Sequence, residues 1–251
     1  MLDDSKSRYY IYNQVLPYDE DICHEFKGHR NIILGEVPPT SQKFGSRSAI
    51  SKAINGFLNT GIGGTIYCGV TDDAVLKGLN FSSYQMDHMR VSVQDALDHY
   101  KPAVPAHRWK LEFVPLLEEA PSPETLQHVQ LIGQKYDPKQ RQRSHVIGTH
   151  QFCWCDKDAI AAFNNGTIYL DYVAEIIIHP WCPTNQLDAA MVGTKTKVHP
   201  LHEAEDGKIY IRNNASVQTV SLQDVIELTK SQVGKLLHPS HRVVAGASPR
   251  S

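Results

Sequence analysis

The sequence predicts an α+β fold, a mixed sheet flanked by helices. Three observations predict it. TIYCGV (65–70) and TIYLDYVAEIIIHP (167–180) are β-branched and aromatic and read as strands. Two stretches, 46–60 and 84–100, repeat apolar residues at helical spacing. Strands and helices follow one another without the regular alternation of a parallel βαβ sheet.

The elements follow in order. Residues 1–17 are polar and aromatic and read as an N-terminal arm or a first strand. DICHEFK (21–27) alternates as a half-buried strand. Residues 35–45 hold two prolines and two glycines and read as a loop. In SRSAISKAINGFLNT, Ala49, Ile50, Ala53, Ile54, Phe57 and Leu58 share one helix face, with Ser46 or Ser48 as cap. Gly61-Ile62-Gly63-Gly64 stops that helix and turns into the next strand. Met86, Met89, Val93, Ala96, Leu97 and Tyr100 mark a second helix, and 108–116 a strand. Residues 117–148 read as an insertion or loop around the strand-like HVQLIG. GKIYIR (207–212) is a late strand, and SLQDVIELTKSQ (221–232) a helix capped by Ser221. The expected domain spans 18–232, with a flexible tail over 233–251.

The composition fits a globular chain: 41% hydrophobic and 21% charged residues leave enough apolar surface for a real core. The net charge of −2 excludes a polycation, so nucleic acid would have to meet a local basic surface. No apolar run approaches the roughly 18 residues of a membrane span, and MLDDSKSRYY holds no signal core. The expectation is a cytoplasmic protein. Five cysteines, an odd number, argue against a disulfide framework. Cys68, inside an apolar strand, reads as core, and Cys23 as packed. There is no P-loop, Rossmann glycine pattern or Gly-x-Ser-x-Gly elbow. Gly61–Gly64 follows a helix and precedes a strand, the wrong polarity for phosphate at a helix N-terminus.

Three acids stand out: Glu20 and Glu25, flanking a strand, and Asp72, after another. Converging carboxylates repel each other unless a divalent cation neutralises them, and Mg²⁺ or Mn²⁺ suits an all-oxygen site. From spacing alone such acids are more often solvated, and Asp21 and Asp73 compete for the same roles. The run HEFK (24–27), then ISKAINGFLNTGIGGTIYCGVTDD (50–73) and KGLN (77–80), resembles the AlbA_2 domain of Schlafen proteins. The closing segment GKIYIRNNASVQTVSLQDVIEL is similar to the end of that domain. The resemblance implies a metal-dependent endoribonuclease acting on structured RNA, such as tRNA or a piRNA precursor. It places the catalytic carboxylates at Glu20, Glu25 and Asp72. Two departures stand out: the Asn-Thr-Gly-Ile-Gly-Gly turn is one residue longer than the family's, and Thr71 replaces the first Asp of a pair.

Cys153-Trp154-Cys155 and His179-Pro180-Trp181-Cys182 offer two short pairs of thiolate and imidazole ligands, the donor set of a structural zinc. The intervening segment reads as loop, then strand. The resemblance implies a zinc site built from a His-x-Cys and a Cys-Cys pair. Cys153 and Cys155 would replace the first, Cys182 would match half of the second, and His179 or His150 would complete the four.

Lys27, Arg30, Arg47 and Lys52 near the acids, Lys139, Arg141 and Arg143 in the insertion, and Arg212 late in the chain are the candidate RNA contacts. Vertebrate Schlafens place two lobes in one chain, and only one is found here. The resemblance therefore implies a homodimer or a complex with another Schlafen-like subunit. The competing reading is a catalytically silent nucleic-acid-binding or protein-interaction module. A DNA-binding regulator is a third.

Overall fold

The computed structural model describes residues 8–30, 32, 47–125, 143–147, 153–192 and 199–237. The expected HVQLIG strand, His150, Lys139 and Arg141 lie outside the described residues. So do Ser46 and residues 238–251.

A mixed sheet of six strands forms the frame. Its strands are β1 (Tyr10–Ile11), β2 (His24–Lys27), β3 (Gly64–Cys68), β4 (Leu79–Asn80), β5 (Trp109–Leu117) and β6 (Asp171–Ile178). The order is β1-β5-β6-β3-β2, and β4 pairs with β6 beyond the end of β3. β6 lies at the centre, antiparallel to β3 and β5. The outer pairs β2–β3 and β1–β5 are parallel.

The period-2 alternation of β6 separates two cores. Ala174, Ile176 and Ile178 face α1 (Ser48–Thr60) and α2 (Ser83–Asp98) in a cluster with Ile50, Phe57, Met89 and Val93. Val173 faces the opposite side and packs with Leu16, Phe26, Tyr67, Val70 and Leu116. The arm therefore contributes both a short strand and, through Tyr10, Tyr12 and Leu16, part of that second core.

α1 begins after Arg47, which sits in helical conformation and gives no side-chain cap. It ends at Gly61, whose left-handed φ of 73° lets its N–H return to the Leu58 carbonyl. Gly63 must be glycine for a second reason: a Cβ there would stand 2.3 Å from the Ile178 carbonyl oxygen. α2 starts with a capping box formed by Ser82 and Gln85.

Four elements depart from the sequence reading. Residues Trp154–Asn164 form a helix, α3, where a loop was expected. Its single run of small residues, with Cys155 as its only buried side chain, gives almost no amphipathic signal. Gln186–Val192 forms a short helix, α4. The late strand is one arm of a hairpin, β7 (Ile209–Asn213) and β8 (Ser216–Val220), joined by a two-residue turn with Asn214 at φ 56°. The hairpin lies on α1, where a Cβ at Gly56 would touch Arg212 Cβ at 3.4 Å. α5 (Leu222–Leu237) runs past the point where the tail was expected. At its start the Ser221 hydroxyl accepts the Asp224 N–H, and the Asp224 carboxylate accepts the Ser221 N–H.

Candidate functional site

β2 is an edge strand in register with β3, Glu25 opposite Ile66 and Lys27 opposite Cys68. Ile66 and Cys68 face the helical layer, so Glu25 and Lys27 do too. Glu20 reaches them because the chain turns back just before the strand. The Asp21 carboxylate accepts the N–H groups of Cys23 and His24 at 2.7 and 2.8 Å and holds that turn. Burial opposes the charge on Asp21, but these hydrogen bonds and the His24 imidazole outweigh it and hold the carboxyl below its usual range.

The result is a shared cation. Lys27 Nζ stands 2.5 Å from Glu25 Oε1 and 4.0 Å from Glu20 Oε1. Glu20 Oε1 also accepts the Phe26 N–H at 2.7 Å. The two glutamates of the sequence reading are thus brought to one ammonium.

Asp72 is placed differently. It lies exposed, beside Asp73, in the turn after Val70. Thr71 closes that turn: its N–H meets the Val75 carbonyl at 3.0 Å and its hydroxyl accepts the Val75 N–H at 3.2 Å. Among the described residues no hydrogen bond or ion pair joins Asp72 to Glu20 or Glu25.

Arg212 fills the other side of Glu25. Its guanidinium donates to Glu25 Oε2, to the His24 carbonyl at 2.7 Å and to the Asp21 carbonyl at 2.5 Å. It also lies 4.8 Å from the centre of the Phe57 ring. Its side chain is fully buried. The expectation that Arg212 meets RNA at the surface is corrected accordingly: three acceptors and an aromatic ring already hold it inside. Arg47 is also mostly buried, bound to Asp95 at 2.6 Å and to Glu205. Arg30 pairs with Asp156 at 3.5 Å over the Phe81 ring. Lys52 stands 5.5 Å over Tyr210, and Arg143 stands 4.7 Å over Trp154.

The cysteines divide. Cys153 and Cys155 gather with His88 of α2 and His145, their ligand atoms all within 4.8 Å of one another. Among the described residues this is the one such group of three or more His, Cys, Asp or Glu donors. His88 Nδ1 lies 3.2 Å from Cys155 Sγ, and His145 Nδ1 lies 3.5 Å from Cys153 Sγ. His88 Nε2 is buried without a hydrogen-bond partner. Two imidazoles and two thiols at this spacing have the chemistry to hold a metal ion.

His179 and Cys182 are not in that group. The Cys182 thiol is exposed and bonded to the Thr184 hydroxyl at 3.2 Å. The loop around it is built on other contacts. Asp188 of α4, 2% exposed, accepts the Cys182 N–H at 2.9 Å and the His107 imidazole at 2.8 Å. The Arg108 guanidinium donates to the His179 carbonyl at 3.0 Å. The expected HxxC half of the zinc set is corrected to a loop that wraps Arg108.

Sequence reasoning missed His88 and His145. His145 lies eight residues before Cys153, a readable spacing, but His88 comes from a helix far upstream with nothing local to mark it. Glu175 was also missed. It lies buried on the opposite face of β6, bound by Arg8 at 2.5 Å and Tyr10 at 2.7 Å.

The family model described as Schlafen, AlbA_2 matches residues 36–221. The match includes Asp72, Cys153, Cys155 and Arg212 and begins after Glu20 and Glu25. It covers most of the chain and agrees with the mixed sheet and its helical layer. No helix among the described residues is long and apolar enough to cross a membrane. This chain belongs to the Schlafen AlbA_2 family.

Proposed function

We propose that this chain is a metal-dependent endoribonuclease that acts on structured RNA, a tRNA-like fold or a small-RNA precursor. One observation carries the reading: Glu20 and Glu25 converge on a single cation, the Lys27 ammonium, at the edge of the sheet. Two carboxylates brought this close would hold a divalent cation in place of the Lys27 ammonium once that side chain turns to a phosphate. Mg²⁺ or Mn²⁺ bound there would supply charge stabilisation to a phosphoryl group. Glu20 and Glu25 would hold the ion, with Asp72 approaching from its turn when RNA binds. Lys27, Arg30, Lys52 and Arg143, with Lys139 and Arg141 of the insertion, would contact phosphates.

A second reading rests on a different observation. Arg212 and Lys27 between them occupy both oxygens of Glu25. A carboxylate neutralised from inside the protein needs no metal, which favours a silent RNA-binding subunit of a larger Schlafen-like assembly.

Purified protein incubated with tRNA and with short small-RNA precursors, in Mn²⁺ or in EDTA, separates the two. The nuclease reading expects cleavage in Mn²⁺ that EDTA, Glu20→Gln and Asp72→Asn each abolish. Binding without cleavage by the wild type, unchanged in both variants, establishes the silent module instead.

A further inference from the structure

We propose that His88, His145, Cys153 and Cys155 form a structural zinc site that clamps the end of the 117–148 insertion to α2 and to the start of α3. This assignment is independent of the nuclease reading. It also differs in its ligands from the site implied by the family resemblance: His88 and His145 take the places given there to Cys182 and to His179 or His150.

Three observations support it. The first is spacing. Zinc binds sulfur at about 2.3 Å and imidazole nitrogen at about 2.0–2.1 Å, so tetrahedral ligand atoms sit about 3.3–3.8 Å apart. The observed N···S separations of 3.2 and 3.5 Å are close to that figure. The second is burial. Cys153, Cys155 and His88 are 1%, 0% and 1% exposed, and the side chain of the intermediate His145 is 5% exposed, so the donors are largely closed off from water as a structural site requires. The third is outer support. His145 Nε2 lies 3.1 Å from the Asp87 carboxylate, which leaves Nδ1 free to bind the metal. A carboxylate that orients a ligating histidine is a recurrent feature of zinc sites.

Two thiolates neutralise the dication, so the filled site adds no net charge to the interior. The frame around it is aromatic. His145 stacks on both His88 and Trp154, with ring centroids 4.8 and 5.2 Å apart. Arg143 lies over the same Trp154, 4.7 Å from the ring centre. The clamp thereby fixes Arg143, one of the proposed RNA contacts, relative to the sheet.

The test is metal content and spectroscopy of the full chain. Elemental analysis of the purified protein is expected to give one zinc per chain. Cobalt added to the apo-protein is expected to give the visible spectrum of a tetrahedral site with two thiolates. Cys155→Ser and His145→Ala are expected to lose the metal, while Cys182→Ser and His179→Ala keep it. Asp87→Ala is expected to weaken zinc binding about 10–100-fold and leave the ligands in place. Because Cys155→Ser could unfold the chain, the cobalt titration of the wild type stands on its own: no spectrum, or one without thiolate charge transfer, overturns the site. Zinc lost in Cys182→Ser, or an intact mass showing Cys153 and Cys155 joined as a disulfide, overturns it equally.

Discussion

Arg212 and Glu25, 187 residues apart in sequence, form a buried ion pair that ties the late hairpin to the edge strand of the sheet. The pair changes what a Glu25 substitution means. Removing one partner of a buried pair costs about 3–5 kcal/mol, because the remaining charge stays inside unpaired. Glu25→Ala is therefore expected to lower the urea midpoint sharply whether or not the residue binds metal. Loss of RNA cleavage in that variant would not identify a catalytic group. An unchanged unfolding midpoint in Glu25→Ala would show that Arg212 does not depend on it.

Glu20 and Asp72 are the cleaner probes. Glu20 is partly exposed and Asp72 is exposed. Asp72→Asn is expected to change stability by less than about 0.5 kcal/mol. Under the nuclease reading it removes cleavage while RNA affinity stays within a few-fold, as measured by filter binding beside a cleavage gel.

Asn59 joins three segments at the end of α1. Its side chain donates to the carbonyls of His202 and Tyr210 at 3.0 and 2.9 Å and accepts the His202 N–H at 2.7 Å. It is 2% exposed. Asn59→Ala removes the acceptor of the His202 N–H and a donor to the Tyr210 carbonyl, while the His202 carbonyl keeps the Asn55 amide at 2.9 Å; each buried group left unsatisfied costs about 1–3 kcal/mol. A loss of about 3 kcal/mol in denaturant unfolding is expected, with the hairpin loosened first in hydrogen exchange.

His202 gives the protein an acid-sensitive stability. Burial is the main cause that lowers its pKa from 6.5 to about 4, and nearby Arg108 and His199 add to it, against the hydrogen bond to the Pro102 carbonyl. The sign follows from proton uptake. Below pH 6.5 the unfolded chain binds a proton that the folded chain refuses until about pH 4. Stability from this group is complete above pH 6.5 and falls as the pH drops towards 4. The expected loss is about 1–3 kcal/mol across that window. His202→Gln is expected to flatten this part of the unfolding profile.

The end of α3 exposes apolar side chains. Ile160, Phe163 and Ile168 are 54%, 72% and 89% exposed. If the chain pairs with a second lobe, through a copy of itself or another Schlafen-like subunit, Phe163→Asp is expected to shift the molar mass in light scattering towards the monomer. A wild type that is already monomeric at high concentration removes the pairing proposal from this face.

The sequence determined the fold class and most of the frame. β3, β5, β6, α1 and α2 were legible because each is long enough for its apolar period to show. The Gly61 stop was legible because only a residue without a Cβ takes that conformation at low cost. The motif around 24–27 and 50–80 also placed the chain among Schlafen domains before any contact was known. α3 was not legible: one buried side chain in eleven residues leaves no periodic signal. Tertiary structure alone decided which charges are free and which are spent inside. Arg212 reads as an RNA contact in one dimension and becomes the counter-ion of Glu25 in three. Cys182 reads as a metal ligand and becomes an exposed thiol, while His88, unmarked in the sequence, joins Cys155. The physical reason is shared. Periodicity records which face of an element is buried, and it carries no information about which distant charge or ligand will meet it there.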